Sequence, residues 1–209
     1  MIKTNKARTL ASGLVIWFMQ QLTGILYYIY LQLTGGYTIH VHIPHQLNHS
    51  QRYIIAANHQ SKLDPFAIFT VLGFRRRLYL LPIKFMTIPW VYHHPLLKPL
   101  LYALGCFPAH NKQRPYHTYG VEGSIKLLRY GYNICIFPEG IRTLRENSHP
   151  KPGVSRILAE YPEAKLLLAH IDWRVKSFWR RHVTITIIMA PDSLNKNDPQ
   201  AIMDAIYAL

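Results

Sequence analysis

Acidic side chains are scarce in this sequence: 10 Asp and Glu stand against 24 Lys and Arg, for a formal net charge of +14. Charged residues of all kinds make up only 16%, against roughly 25% in an ordinary soluble domain. A chain poor in charge yet strongly basic points to an anionic partner: membrane lipid, a phosphorylated substrate or nucleic acid. Cysteine is nearly missing. Cys106 and Cys135 sit in the apolar runs GCF and ICIF, read as core thiols, and nothing demands an oxidising compartment. No internal repeat, low-complexity stretch or G-x-S-x-G nucleophile elbow occurs. What is present is 209 residues, 49% of them hydrophobic, which excludes disorder and suffices for one domain with a short appendage.

The shortage of acid is uneven. Between Met1 and Gly120 there is one acidic residue, Asp64, against twelve basic ones, a local balance of +11. A lone carboxylate in a cationic half has two explanations. Asp64 precedes Pro65, and Asp followed by Pro is a common helix start. Asp64 also lies five residues after His59, where a carboxylate has chemical use. The two explanations are compatible.

Charge is missing altogether from residues 10–33 (LASGLVIWFMQQLTGILYYIYLQL). As one helix this stretch is about 36 Å long, against a hydrocarbon core of about 30 Å. Gln20 and Gln21 put two amides near its centre, and an unpaired buried amide costs a few kcal/mol. The expected arrangement is a bent or paired helix that dips into one leaflet, with a single span as the alternative. A cleaved signal peptide is not expected, because the stretch is long, aromatic and without a small-x-small site before Gly35. Lys3, Lys6 and Arg8 favour a cytoplasmic N-terminus. A dip would keep the remaining domain on the cytoplasmic face. The division is therefore 1–35, a membrane-associated helical segment, and 36–209, a globular domain.

Beyond Gly36 the pattern alternates. Strands are expected at 37–43, 53–58, 78–83, 105–109, 133–138, 165–171 and 183–190. Helices are expected at 65–72, 118–131, 152–161 and 198–208. Alternation of this kind predicts an α/β fold, a mostly parallel sheet flanked by helices.

The chemistry concentrates after two of those strands. YIIAAN (53–58) leads into His59-Gln-Ser-Lys-Leu-Asp64. A histidine at the C-terminal edge of a strand sits where open α/β sheets build their sites. Its imidazole suits general-base work, and it needs a partner on the second nitrogen to fix the tautomer. Asp64 is the acid at hand. With no serine or cysteine elbow, the attacking nucleophile is expected to be a hydroxyl carried by the substrate. NICI (133–136) leads into Phe137-Pro138-Glu139-Gly140-Ile141-Arg142-Thr143, and Lys151-Pro-Gly153-Val-Ser-Arg-Ile-Leu-Ala159 follows.

In order and spacing these blocks resemble the lysophosphatidic acid acyltransferase family, the PlsC-type glycerolipid acyltransferases. Its pattern is NHxSxxD, a Gly-x-Phe-Pro/Ile-x-x-Arg strand, FPEGTRS and a K-x-G-x-x-x-LA helix. The resemblance runs from about Gly36 to Ile171. It implies transfer of a fatty acyl group from an acyl thioester to the free hydroxyl of 1-acyl-sn-glycerol-3-phosphate, giving phosphatidic acid. His59 would be the general base and Asp64 its orienting partner. Asn58, Ser61, Phe137, Pro138, Glu139, Gly140, Arg142, Lys151 and Gly153 would line the substrate site, with Lys112 or Arg114 supplying phosphate charge. No cofactor is implied beyond acyl-ACP or acyl-CoA as cosubstrate. The implied partners are lysophosphatidate, the acyl donor and a phospholipid bilayer.

Three positions depart from the pattern. The usual phosphate-binding arginine falls at Asn111, the usual threonine of FPEGTRS is Ile141, and a Val-Pro-Val block reads Leu167-Leu168-Ala169. They leave open another lysolipid acceptor, or a non-catalytic lipid-binding relative. Arg75, Arg76 and Arg77 read either as a solvated face or as a contact for anionic headgroups. His93 and His94 lack the companion spacing of a metal site, so none is expected. Trp173, Phe178 and Trp179 interleave with Arg174, Lys176, Arg180 and Arg181. Nucleic acid can be held this way, but an interfacial membrane patch agrees better with the apolar N-terminal segment.

Overall fold

A computed structural model describes residues 6–34, 36–43, 47–48, 50–110, 119–142, 149–175 and 181–209. Its centre is a seven-stranded sheet built from β1 (Tyr37–His42), β2 (Tyr53–Ala57), β3 (Ile83–Thr87), β4 (Cys106–Pro108), β5 (Asn133–Ile136), β6 (Lys165–Val175) and β7 (Arg181–Met189). The spatial order is β1-β7-β6-β2-β5-β3-β4. Every pair is parallel except β6 with β7. The expected class, a mostly parallel sheet with helices on it, is what forms.

The central strands are apolar on both faces because both faces are covered. Alternation along β2 sends Ile55 and Ala57 to one side and Ile54 and Ala56 to the other. The first side is closed by α1 (Lys6–Thr34), α2 (Asp64–Val71) and α3 (Gly73–Leu80), through Tyr27, Leu31, Ile68, Phe69 and Leu80. The second side is closed by α6 (Tyr119–Arg129), α7 (Gly153–Glu160) and α8 (Pro199–Tyr207), through Ile125, Leu128, Ile157, Met203 and Ile206. Two short helices, α4 (Pro89–Tyr92) and α5 (Lys98–Ala103), lie between β3 and β4.

Two sequence expectations are corrected. The run 78–83 is not a strand. Its first residues end α3, and β3 begins at Ile83. Leu81 precedes Pro82 and is extended, at ψ 146°, which stops the helix and re-aims the chain. A short apolar run fits either period, so its hydrophobicity did not decide between helix and strand.

The N-terminal segment is uninterrupted and packs along α2 and α5. It is one 29-residue helix, and of the two glutamines that argued against burial in lipid, Gln20 docks it to the domain. Gln20 is fully buried: its Nε2 donates to the carbonyls of Ile83 (2.6 Å) and Leu104 (2.8 Å), and its Oε1 accepts from the N–H of Ile83 (3.0 Å). Gly105, at φ +85°, lets the helix come close, since a Cβ there would meet Ile16, Gln20 and the Ile83 carbonyl within 3 Å. Arg77 belongs to the same seam and not to a solvated face. It is 9% exposed, and its Nη1 fills the space beside Gly24. Burial holds its guanidinium below its ordinary pKa. The side chains of Arg75 and Arg76 lie outside the described residues.

Candidate active site

β2 and β5 are neighbours and run parallel, so the loops after them open at one edge of the sheet. There the imidazole Nδ1 of His59 meets Oδ2 of Asp64 at 2.8 Å. Asp64 is fully buried, whereas the His59 side chain keeps 21% of its surface exposed. Nδ1–H donates to the carboxylate, which leaves Nε2 as the basic nitrogen of the ring.

Asp64 opens α2 as expected, but it does not cap it. Its carboxylate reaches backward: Oδ2 also accepts from the N–H groups of Gln60 (2.8 Å) and Ser61 (2.8 Å), and Oδ1 accepts from the indole N–H of Trp173 (2.7 Å). Four donors on one buried carboxylate fix its plane, and that plane fixes the ring of His59. Trp173 is thus drawn into the site and away from the surface patch expected for it. Phe178, Trp179, Lys176 and Arg180 lie outside the described residues, as does the side chain of Arg181; Arg174 is exposed and pairs with Asp172 at 3.1 Å.

Glu139 approaches from the other side. Only 3% exposed, it accepts the backbone N–H of His59 on Oε2 (2.6 Å) and the hydroxyl of Tyr207 on Oε1 (2.5 Å). Burial raises its pKa, and the bonds from Tyr207 and His59 pull it part of the way back. Both oxygens are used internally, so Glu139 braces the loop and is not presented to an acceptor. Asn58 is corrected in the same way. It is fully buried, and its amide is clamped to the backbone of Ile171, donating to the carbonyl (2.8 Å) and accepting from the N–H (2.7 Å). Ser61 accepts from the N–H of Leu63 (3.2 Å), closing the turn that returns Asp64 to His59.

Of the remaining expected residues that are described, Phe137 is the one in contact with the ring. Phe137 stacks on His59, with centroids 4.3 Å apart and planes 25° apart, and Pro138 is buried behind it. Gly140 adopts φ +71°, and the Lys151 side chain lies where a Cβ would be, with Nζ 2.8 Å from that point. The N–H of Lys151 bonds the carbonyl of Pro138 (2.8 Å), which ties the third block to the second. Arg142 is exposed two residues beyond Gly140, and Gly153 faces open space. Asn111, Lys112, Arg114 and Thr143 lie outside the described residues. Among the described residues no group of His, Cys, Asp and Glu is placed to hold a metal. Cys135, whose thiol is pushed up in pKa by burial and by the nearby charge of Asp64, is fully enclosed.

The arrangement is a carboxylate-held imidazole stacked on Phe137, with no protein hydroxyl or thiol bonded to its Nε2 among the described residues. A model of the acyltransferase family matches residues 38–189, from the first strand to the end of the last. The chain belongs to the acyltransferase family. Among solved structures it is similar to the crystal structure of the 1-acyl-sn-glycerophosphate (LPA) acyltransferase PlsC from Thermotoga maritima. That similarity has a TM-score of 0.61 at 16% identity and covers 96% of this chain and 80% of that one. At that identity the likeness speaks for the fold of the acyltransferase. No curated protein matches its sequence.

Two residues of the site carried no signal as motifs. Trp173 follows from strand alternation once β6 is extended past Ile171, since both then face α2. Tyr207 lies in α8, outside the matched region, and its neighbours Ile202, Met203 and Ile206 announce only a packed helix.

Proposed function

We propose that this acyltransferase moves a fatty acyl group from an acyl thioester, of acyl carrier protein or CoA, to the free hydroxyl of 1-acyl-sn-glycerol-3-phosphate. The observation that carries the reading is the His59–Asp64 contact at the edge of the sheet, with the Nδ1 of a part-exposed imidazole held by a buried carboxylate. Nε2 takes the proton of the acceptor hydroxyl as its oxygen bonds to the thioester carbonyl. The tetrahedral oxyanion collapses, the carbon–sulfur bond breaks, and the imidazolium returns the proton to the departing thiolate. Base catalysis of this kind contributes about 10²–10⁴-fold. Positioning of the two substrates and stabilisation of the oxyanion supply the rest. The N–H groups of residues 59–61, natural candidates for an oxyanion hole, are committed to Glu139 and Asp64. The oxyanion donors therefore lie elsewhere.

Lys151, whose side chain lies against Gly140, and the exposed Arg142 are assigned to the acceptor phosphate. Ile141, 61% exposed in place of a hydroxyl residue, narrows that phosphate's polar contacts and favours trying other lysolipids alongside it.

The acceptor is a membrane lipid, and α1 provides the means to reach it. Ser12–Thr34 is long and apolar enough to cross a bilayer by length and composition. Its middle is nevertheless bonded to the domain through Gln20, while Leu14, Phe18, Ile25, Leu26 and Leu33 face outward. A helix held along its side lies in the surface plane of one leaflet. Trp90, Leu96 and Leu100 add exposed apolar area on α4 and α5 and just before α5, and α5 packs beside α1. The domain then stays on the cytoplasmic side with the acyl donors.

The test is lipid product analysis by mass spectrometry. Purified protein is supplied with acyl-CoA or acyl-ACP and a panel of lyso-acceptors. The reading predicts phosphatidate from lysophosphatidate as the dominant product. No product across all donors and acceptors would overturn it.

A further inference from the structure

We propose that Trp173 is a positioning residue of the acyl-transfer site, pinning the second oxygen of Asp64 so that the first stays on the imidazole. The inference rests on the reading of His59 as base, and it concerns how that base is kept in place.

A carboxylate has two oxygens and rotates about its Cβ–Cγ bond unless both are held. In Asp64, Oδ2 takes three donors and Oδ1 takes one, the Trp173 indole N–H at 2.7 Å. Trp173 comes from β6, while the other three donors come from the short loop of residues 59–61. The loop alone can tilt with its own residues; the bond from β6 ties it to the sheet. β6 is itself held on both sides, by β2 and by β7 over nine residue pairs from Leu167 to Val175. The backbone N–H of Trp173 adds a second link, to the side chain of Gln60 at 3.4 Å. Indole is well suited to the place. It donates without accepting or titrating, so it holds the anion at every pH at which the enzyme works.

Among the described residues, the charged and titratable groups near the pair include Lys62, exposed in the loop between His59 and Asp64, and Lys151, whose side chain lies against Gly140 next to Glu139. Cys135 faces Asp64 from β5 and is a neutral thiol. Glu139 faces His59 from the loop after β5, with Tyr207 of α8 behind it. Asp172 and Arg174 flank Trp173 in sequence and pair with each other on the opposite side of the strand. None of these changes when only the indole N–H is removed. Trp173→Phe keeps most of the ring and deletes that donor. The charge of Asp64 is then shared among three donors instead of four and attracts the imidazolium more strongly. The acidic limb of the rate profile therefore moves to higher pH, and the less restrained ring lowers kcat about tenfold.

The experiment has two arms. In the first, the indole Nε1–H resonances of the four tryptophans are assigned by NMR in the full-length protein. The Trp173 signal should be the furthest downfield and should move upfield in Asp64→Asn. This arm needs no activity, so its outcome is separate from that of the proposed reaction. In the second, kcat, KM and the pH dependence of kcat/KM for lysophosphatidate with acyl-CoA are compared between wild type and Trp173→Phe. The expected result is a lower kcat, KM within about twofold, and an acidic limb displaced upward. A Trp173 resonance that ignores Asp64→Asn would overturn the proposal. So would a Trp173→Phe enzyme whose limb coincides with wild type, whether its rate is normal or reduced, since a reduced rate alone reports packing. If Trp173→Phe does not fold, the resonance decides.

Discussion

The sheet edge at His59 and the outer face of α1 are built by opposite rules. At the edge nearly every polar atom has a named partner: Asp64 accepts four hydrogen bonds, Glu139 two, and Asn58 uses both ends of its amide. On α1 the outward residues share only bulk apolar character, with Leu14 at 69%, Phe18 at 60% and Leu33 at 81% exposure. Hydrogen bonds are directional and short-ranged, so the edge is specified atom by atom. Apolar burial scales with area, so the helix face is specified only on average. Single-atom changes should therefore be severe at one and nearly silent at the other, and Gln20, where α1 is docked by hydrogen bonds, should behave like the edge.

Asp64→Asn is the sharpest probe of the edge. The amide nitrogen must point one N–H at a group that is already a donor, and the imidazole loses the anion that fixes its tautomer. We expect the acyl-transfer rate to fall by about 10²-fold or more, measured at saturating substrate with vesicle binding unchanged.

Glu139→Gln should cost about tenfold in kcat, because the new side chain has one acceptor for two donors. It also carries a pH signature. Burial raises the Glu139 pKa in the folded protein, so the folded state holds that proton more tightly than the unfolded chain. Stability from this group is present below the ordinary value of 4.5 and is lost as pH rises through the raised one. The substitution removes that loss. The melting temperature of Glu139→Gln, compared with wild type, should improve from pH 4 to pH 7; a constant difference would argue against a buried anion.

Gln20→Leu keeps the volume of the α1 seam and strips three hydrogen bonds from Ile83 and Leu104. We expect a loss of about 2–3 kcal/mol in unfolding free energy. By contrast, Leu14→Ser or Phe18→Ser alone should change stability by less than about 0.5 kcal/mol. Replacing both should weaken vesicle retention several-fold while kcat in detergent stays unchanged. If a single outer-face change unfolds the protein, the contrast between the two regions fails.

Much of this was legible in the sequence, and the exceptions have physical causes. The runs YIIAA and NICI are short, β-rich and apolar on both sides, which only a covered parallel strand needs. The motif residues were found because chemistry fixes their spacing. Their duties were harder to read. Asn58 and Glu139 sit inside the motif yet face inward, since a buried loop must satisfy its own N–H and carbonyl groups before it can serve a ligand. Trp173 and Tyr207 reach the site from 109 and 68 residues away, distances at which no local pattern operates. Gln20 was read as a polar fault in an apolar helix because its partners, Ile83 and Leu104, become neighbours only in the fold.

The central claim is that the His59 imidazole activates a hydroxyl of the acceptor and that no side chain of the protein carries the acyl group. Thiol release from acyl-CoA, followed with and without lysophosphatidate alongside the intact mass of the protein, tests it directly. The account predicts release only when acceptor is present, no acyl mass on the chain, and loss of release in His59→Ala. A burst of thiol without acceptor, leaving one acyl group on the protein, or undiminished release in His59→Ala, would contradict it.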